Sequence, residues 1–419
     1  MMKRIKFVCG LVIVGIIASL ALTIDANAQK PFEIWNATYD GGSDDHAYCV
    51  ALDSKDNIIV TGHSYLGGDR DYYTIKYDSN GTALWNMAYD GEGFADTAFS
   101  VAVDSMDNII VTGISDLGGN GGYHTVKYNG SGFELWNVTS DGGSDKGAFS
   151  VAVDSKDNII VTGYSSTDAG NLNYYTIKYN SSGSELWNMT DDGGSDDGAW
   201  SVAVDSKDNI ILTGLSDLGG DFDYYTIKYN SSGSELWNAT YDGGSDDAAS
   251  TVTVDSKDNI IISGRSDLGG YWNYYTIKYD SKGFELWNAT YDGGSDDEAW
   301  SVAVDSKDNI IVTGDSYLRE MNYYTIKYDS SGSELWNATY DGGSDDEAWS
   351  VAVDSKDNII VTGYSFSGLL GTEDYYTIKY NSHLSAGVIC GEQKTPGFEV
   401  IFAFGDVLVV AYLVLRKMK

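Results

Sequence analysis

Glu334-Leu-Trp-Asn-Ala-Thr-Tyr-Asp-Gly-Gly-Ser-Asp-Asp-Glu-Ala-Trp-Ser-Val-Ala-Val-Asp-Ser-Lys-Asp-Asn-Ile-Ile-Val-Thr-Gly363 repeats Glu285–Gly314 residue for residue over 30 positions. With drift, the same unit of about 50 residues recurs seven times. Its tryptophan falls at Trp35, Trp85, Trp136, Trp187, Trp237, Trp287 and Trp336. An Asp-Ser-x-Asp-Asn turn recurs from Asp53 to Asp354, and a Tyr-x-Thr-Ile/Val-Lys-Tyr segment from Tyr72 to Tyr380. A fixed period of about 40–50 residues signals a propeller or a solenoid.

Each unit predicts four short strands. In the copy at Trp187, Glu185–Asp191 is a strand that runs into an acidic loop, 192–197. Trp200–Val204 alternates large and small residues, the period of a strand. Asp205-Ser206-Lys207-Asp208-Asn209 is a turn, because Asn and Asp tolerate left-handed backbone. Ile210–Thr213 is almost continuously apolar, as in a strand covered on both faces. A variable loop, Leu215–Asp223, precedes the strand Tyr224–Tyr229, and Asn230–Gly233 turns back to the next tryptophan. Seven such units describe an all-β fold, a seven-bladed β-propeller with four antiparallel strands per blade. A parallel β-helix competes, but its coils are usually shorter and it needs no closure. The ends of the repeat array supply closure. Phe32–Tyr39 is a tryptophan strand with no blade before it, and the last copy stops at Tyr375–Tyr380. The first strand is therefore expected to complete the seventh blade, leaving no open ring edge.

Val351–Gly363, Tyr-Thr-Ile-Lys-Tyr and Leu-Trp-Asn resemble the SBBP-type beta-propeller repeats of bacteria and archaea. That resemblance spans about 350 residues and implies an extracellular propeller, mostly without a defined activity. One departure stands out: those repeats often carry Gly before the turn Asn, where this chain has Asp56, Asp107, Asp157 and their equivalents.

The two ends predict export. Lys3, Arg4 and Lys6 precede an apolar run, Phe7–Leu22, and Ala26-Asn27-Ala28 offers small residues for cleavage, so 1–28 reads as a signal peptide. A retained membrane anchor is the alternative. The propeller is expected over 29–383 and a linker over 384–395. Pro396-Gly397-Phe398, the apolar run to Leu415 and the basic end Arg416–Lys419 resemble the PGF-CTERM sorting signal of archaeal surface proteins. That resemblance implies removal of the tail by an archaeosortase and attachment to a membrane lipid. A plain anchor over 396–419 is the other reading. Cys49 and Cys390 are expected at opposite faces and unbridged.

A net charge of −36 excludes nucleic acid as a partner. With the strands lettered A to D outward from the axis, the D–A and B–C loops share one face, here the top. The short tether at the C-terminus should turn this face away from the membrane. The variable B–C loops and their neighbours hold the ligand-binding candidates His46, His63, Arg70, Trp272 and Arg319. His46 and His63 read either as an exposed pair or, in a polysaccharide lyase or hydrolase, as acid–base groups. Trp200, Trp300 and Trp349 either pack between blades or stack on sugars near the axis. No nucleophile motif, phosphate loop or zinc spacing is present.

Calcium is the only cofactor considered. Its candidate ligands are the paired loop carboxylates Asp44, Asp45, Asp246, Asp247, Asp345 and Asp346. Ten sequons mark Asn36, Asn137, Asn188, Asn238, Asn288 and Asn337 on the outer strand, and Asn80, Asn129, Asn180 and Asn230 in C–D turns. Together these features predict a non-catalytic propeller anchored at an archaeal cell surface, binding envelope carbohydrate or a surface protein through its outward face. A polysaccharide-active enzyme is the alternative.

Overall fold

The computed structural model describes residues 31–91, 95–116, 121–140, 146–166, 170–191, 196–217, 219–317, 319–367 and 371–381. The signal segment, the linker, Cys390 and the Pro396-Gly397-Phe398 motif lie outside the described residues. Among the described residues there are 28 strands and no helix. They form seven four-stranded antiparallel sheets.

Six blades take their strands in chain order, the first being His46–Leu52, Ile58–Tyr65, Arg70–Tyr77 and Ala83–Tyr89. The seventh sheet combines Asp346–Val353, Ile359–Ser367 and Thr372–Asn381 with Phe32–Tyr39 as its outer strand. Phe32 lies opposite Asn381 and Tyr39 opposite Tyr375. The expected closure is therefore present.

The repeated residues explain the ring. Strand B is buried on both faces; Ile58, Ile59 and Val60 have no exposure. Each apolar cluster joins two blades. Ile360 and Tyr375 of the last blade pack with Ala47, Val50, Ile58 and Tyr73 of the first. One blade alone would leave half of such a cluster in water.

The Asp-Ser-x-Asp-Asn turn carries three functions at once. Asp53 Oδ1 accepts from the backbone N–H groups of Lys55 and Asn57, each at 2.9 Å. Asp53 Oδ2 accepts from Asn57 Nδ2 at 2.7 Å and from the buried Lys76 Nζ on strand C at 2.8 Å. The same buried Lys–Asp pair occurs in all seven blades, from Lys76–Asp53 to Lys379–Asp354.

The second Asp of the turn has φ of 59–62° in every blade, a left-handed conformation that Asp adopts more readily than most side chains but at more cost than Gly. Its carboxylate offsets that cost. Asp107 accepts from Ser54 N at 2.9 Å and Ser54 Oγ at 2.8 Å across the seam. The clamp repeats around the ring and ends with Ser355 donating to Asp56 across the closing seam. The Asp at this turn position thus supplies an interblade bond.

A second ring of bonds lies higher. Tyr72 Oη donates to the His124 carbonyl, Tyr123 Oη to Tyr175, and so on to Tyr375 Oη on Tyr73.

Candidate functional site

Strands A and B are longer than their sequence suggests. Strand A of the fourth blade starts at Asp197 and strand B ends at Asp217, so Leu215, expected in a loop, belongs to the sheet. The extra length carries a β-bulge. Register shifts between Ala47 and Cys49, Ala199 and Ser201, Ala299 and Ser301, and at the same place in every other blade. The skipped residues are Tyr48, Phe99, Phe149, Trp200, Ser250, Trp300 and Trp349. A bulged residue has no partner in the ladder, which re-aims its side chain.

The bulge also explains an obligatory glycine. A Cβ on Gly62 would sit 1.8 Å from the His46 carbonyl, so strand B must carry Gly opposite it.

All seven bulged side chains line one cavity of about 310 Å³. A cavity touched by the same position of every blade lies on the axis. Five ring-to-ring contacts run around its wall. Trp300 stacks on Trp349 at 4.5 Å, Trp349 meets Tyr48 at 5.0 Å, and Tyr48 meets Phe99 at 5.2 Å. Phe149 follows Phe99 at 5.3 Å and stacks on Trp200 at 5.1 Å. Ser250 interrupts the wall between Trp200 and Trp300. The three tryptophans named from sequence are thus half-buried and face the axis.

Behind this wall the blades differ. In register, His46 faces His63, Ala248 faces Arg265, Glu298 faces Asp315 and Glu347 faces Tyr364. The same positions are Thr97 and Ile114, Gly147 and Tyr164, and Gly198 and Leu215 in the second to fourth blades. The cup therefore has an apolar arc and an ionisable arc.

In the ionisable arc, Arg265 pairs with Glu298 and lies over the rings of Trp272 and Trp300, at 4.7 and 5.9 Å. Trp300 Nε1 donates to Asp315 Oδ1 at 2.6 Å. Burial, with Glu347 and Glu298 nearby, pushes the Asp315 carboxyl well above the usual carboxylate range. Burial likewise raises Glu347, against the Tyr364 hydroxyl, which holds it down. His46 Nε2 bonds Glu373, its Nδ1 lies 3.2 Å from Tyr48 Oη, and its ring stacks on Tyr364 at 4.2 Å. Burial lowers His46 although Glu373 opposes it.

The sequence-derived candidates divide accordingly. His46 is at the cup. His63 is not exposed as expected. It has no solvent exposure, neither ring nitrogen has a partner, and burial lowers its pKa to about 3. Tertiary packing between the longer strands buried it. Trp272 opens a strand and stacks under Arg265. Arg70 and Arg319 stay exposed at the rim, Arg70 over Tyr65 at 5.6 Å. The candidate list lacked Arg265, Glu298, Asp315, Glu347 and Glu373. Their signal was variation at otherwise repeated strand positions.

The paired loop carboxylates do not act as pairs. Asp246 Oδ1 caps Phe222 N at 3.1 Å, Asp345 Oδ1 caps Met321 N at 3.1 Å, and Asp44 Oδ1 accepts from Glu373 N at 3.5 Å. Their neighbours Asp45, Asp247 and Asp346 are buried and accept from Gly41, Gly243 and Gly342. The outer-strand sequon Asn36 donates to Glu33 at 2.6 Å, and the turn residues Asn180 and Asn230 cap their own turns.

Comparisons with known proteins bear on the fold. No family model matches the chain. An uncharacterized WD repeat-containing protein of Acanthamoeba polyphaga mimivirus is 24% identical over 189 residues, 39% of this chain and only 11% of that relative's length. A polysaccharide lyase of family PL25, an ulvan lyase solved with a bound GlcA–Rha3S unit, aligns with a TM-score of 0.51 at 13% identity, covering 81% of this chain and 95% of the lyase. Sqt1 from Chaetomium thermophilum aligns with a TM-score of 0.48 at 12% identity, covering 82% of this chain and 88% of Sqt1. At 13% identity the likeness to the lyase is one of architecture alone; by its own seven four-stranded sheets the chain is a seven-bladed β-propeller.

Proposed function

We propose that this chain is a non-catalytic binding propeller of an archaeal cell surface, and that it seats a carbohydrate of the envelope in its axial cup. The signal-like and sorting-like end segments support export and C-terminal attachment in this reading, and the net charge of −36 disfavours nucleic acid as a partner. The observation that carries the reading is the bulge-mounted wall of six aromatic side chains around about 310 Å³. Ligand pockets are mostly apolar with a few placed polar groups. Aromatic faces suit the C–H faces of a sugar, while Glu298, Glu347 and Glu373 offer acceptors for its hydroxyls.

Glycan-array binding by the wild type, followed by titration of the best ligand into Trp300→Ala/Trp349→Ala, tests it. Affinity should fall at least about tenfold, roughly 1.4 kcal/mol, with the sheet spectrum unchanged. Binding that survives this change but is lost when the B–C loops are shortened would move the site to the rim. A second reading is favoured by Asp315. A buried carboxyl whose pKa is raised by burial and by neighbouring carboxylates has the property of a general acid. New reducing or unsaturated ends released from a bound polysaccharide would establish that reading.

A further inference from the structure

We propose that three of the seven seams between blades each hold a calcium ion. The ligands are Asp223, Asp242 and Asp247 at one seam, Asp71, Asp90 and Asp96 at the second, and Asp40, Asp45 and Asp374 at the third. This is independent of what the axial cup binds.

Each trio has the same construction. One Asp comes from the start of strand C, one opens the D–A loop, and one opens strand A of the following blade or, for Asp45, immediately precedes it. One oxygen from each lies within 4.8 Å of the other two. Calcium sits about 2.3–2.6 Å from its oxygen ligands, so two ligands on opposite sides of one ion are about 5 Å apart.

In the first two trios the strand C member points to a missing partner. Asp71 is 2% exposed and Asp223 is 6% exposed, and Oδ1 of each is buried without a hydrogen bond. Asp45 and Asp247 likewise have Oδ1 without a partner, while their Oδ2 atoms accept from Gly41 and Gly243. Among the described residues no lysine, arginine or histidine forms an ion pair with Asp223, Asp242 or Asp247. Asp217 and Asp221 add further negative charge around Asp223. Buried like charges this close are costly unless a proton or a cation joins them.

The other four seams provide a control within the chain. The strand C position there is Gly122, Asn173, Asn273 or Asn322. Asn273 and Asn322 donate their amides to the Tyr271 and Glu320 carbonyls, so each of those seams carries one carboxylate fewer. The repeat by itself does not create the trio; an acid at one position does.

Calcium chloride titrated calorimetrically into the chelator-stripped full chain at about pH 8, with thermal melts in parallel, tests the proposal. Three ions per chain should bind and the melting temperature should rise. Asp223→Asn and Asp71→Asn should each remove one ion. Because Asn already occupies this position in other blades, both variants should fold, and in chelator both should melt above the wild type as repulsion is relieved. Asn273→Asp, opposite Asp292 and Asp297, should add a fourth ion. Absence of heat and of any melting shift at millimolar calcium would overturn the proposal. So would full uptake by the Asp71→Asn/Asp223→Asn double variant.

Discussion

Replacing Asp205 by Ala isolates the bond on which each blade turns. Asp205 Oδ1 accepts from the Lys207 and Asn209 backbone, each at 2.9 Å, and Oδ2 accepts from Asn209 Nδ2 and Lys228 Nζ, each at 2.8 Å. The Lys228 side chain is 3% exposed. Truncating Asp205 leaves that ammonium buried with only the Ser281 carbonyl at 3.4 Å. Removing one partner of a buried pair costs about 3–5 kcal/mol. A ring of roughly 350 residues unfolding as one unit carries an unfolding entropy of about 0.7 kcal/mol/K. A loss of about 4 kcal/mol therefore lowers Tm by about 5 °C.

Adding Lys228→Met should recover all but about 1–2 kcal/mol, the residue of the lost turn bonds, because the uncompensated charge is gone. Burial alone would raise the Asp205 pKa, but the Lys228 ammonium and the Asn209 amide outweigh it and hold it below the usual range. Its contribution is complete above the unfolded-state value and is lost as pH falls through the lower folded value. The gap between wild type and Asp205→Ala should therefore close in acid. Calorimetric melts of the wild type, Asp205→Ala and the double variant decide the matter. A single-variant shift below about 1 °C, or a double variant that melts lower still, would refute the assignment of the pair as buried and coupled.

Gly214→Ala would put a methyl group 1.9 Å from the Gly198 carbonyl and 2.8 Å from Tyr174 Oη. It should destabilise by more than about 3 kcal/mol, read from urea denaturation, whereas Gly219→Ala at a loop site with open space around it should change stability by less than about 1 kcal/mol. His63→Leu takes the residue found at the aligned Leu215. The folded His63 pKa of about 3 lies below the unfolded value, so the neutral ring's contribution is full above that unfolded value and drains away as pH falls toward 3. The variant should match or exceed the wild type at neutral pH and lose less stability on acidification, measured by denaturation at neutral and mildly acidic pH.

The period, the four strands per unit, the turn chemistry and the closing role of Phe32–Tyr39 were all legible in the sequence. They depend on local pattern and on counting strands, and local propensity agrees with the fold in every copy. The cup was legible only in part. Trp200, Trp300 and Trp349 could be singled out, but the alternation of large and small residues runs through them without revealing the skipped register. One inserted residue re-aims a side chain toward the axis, and no two-residue period records that. His63 was misread for a related reason. Its strand runs on into what composition marks as a loop, because pairing to strand A holds it there.

What the chain determines by itself is therefore the blade, since each strand and turn is encoded within about 50 residues. What only the tertiary structure decides is everything that joins blades. The Ser54–Asp107 clamp and the axial cavity unite residues that lie a whole repeat or more apart. Their distances are set by how the twisted sheets pack side by side in the ring, a geometry that no single repeat contains.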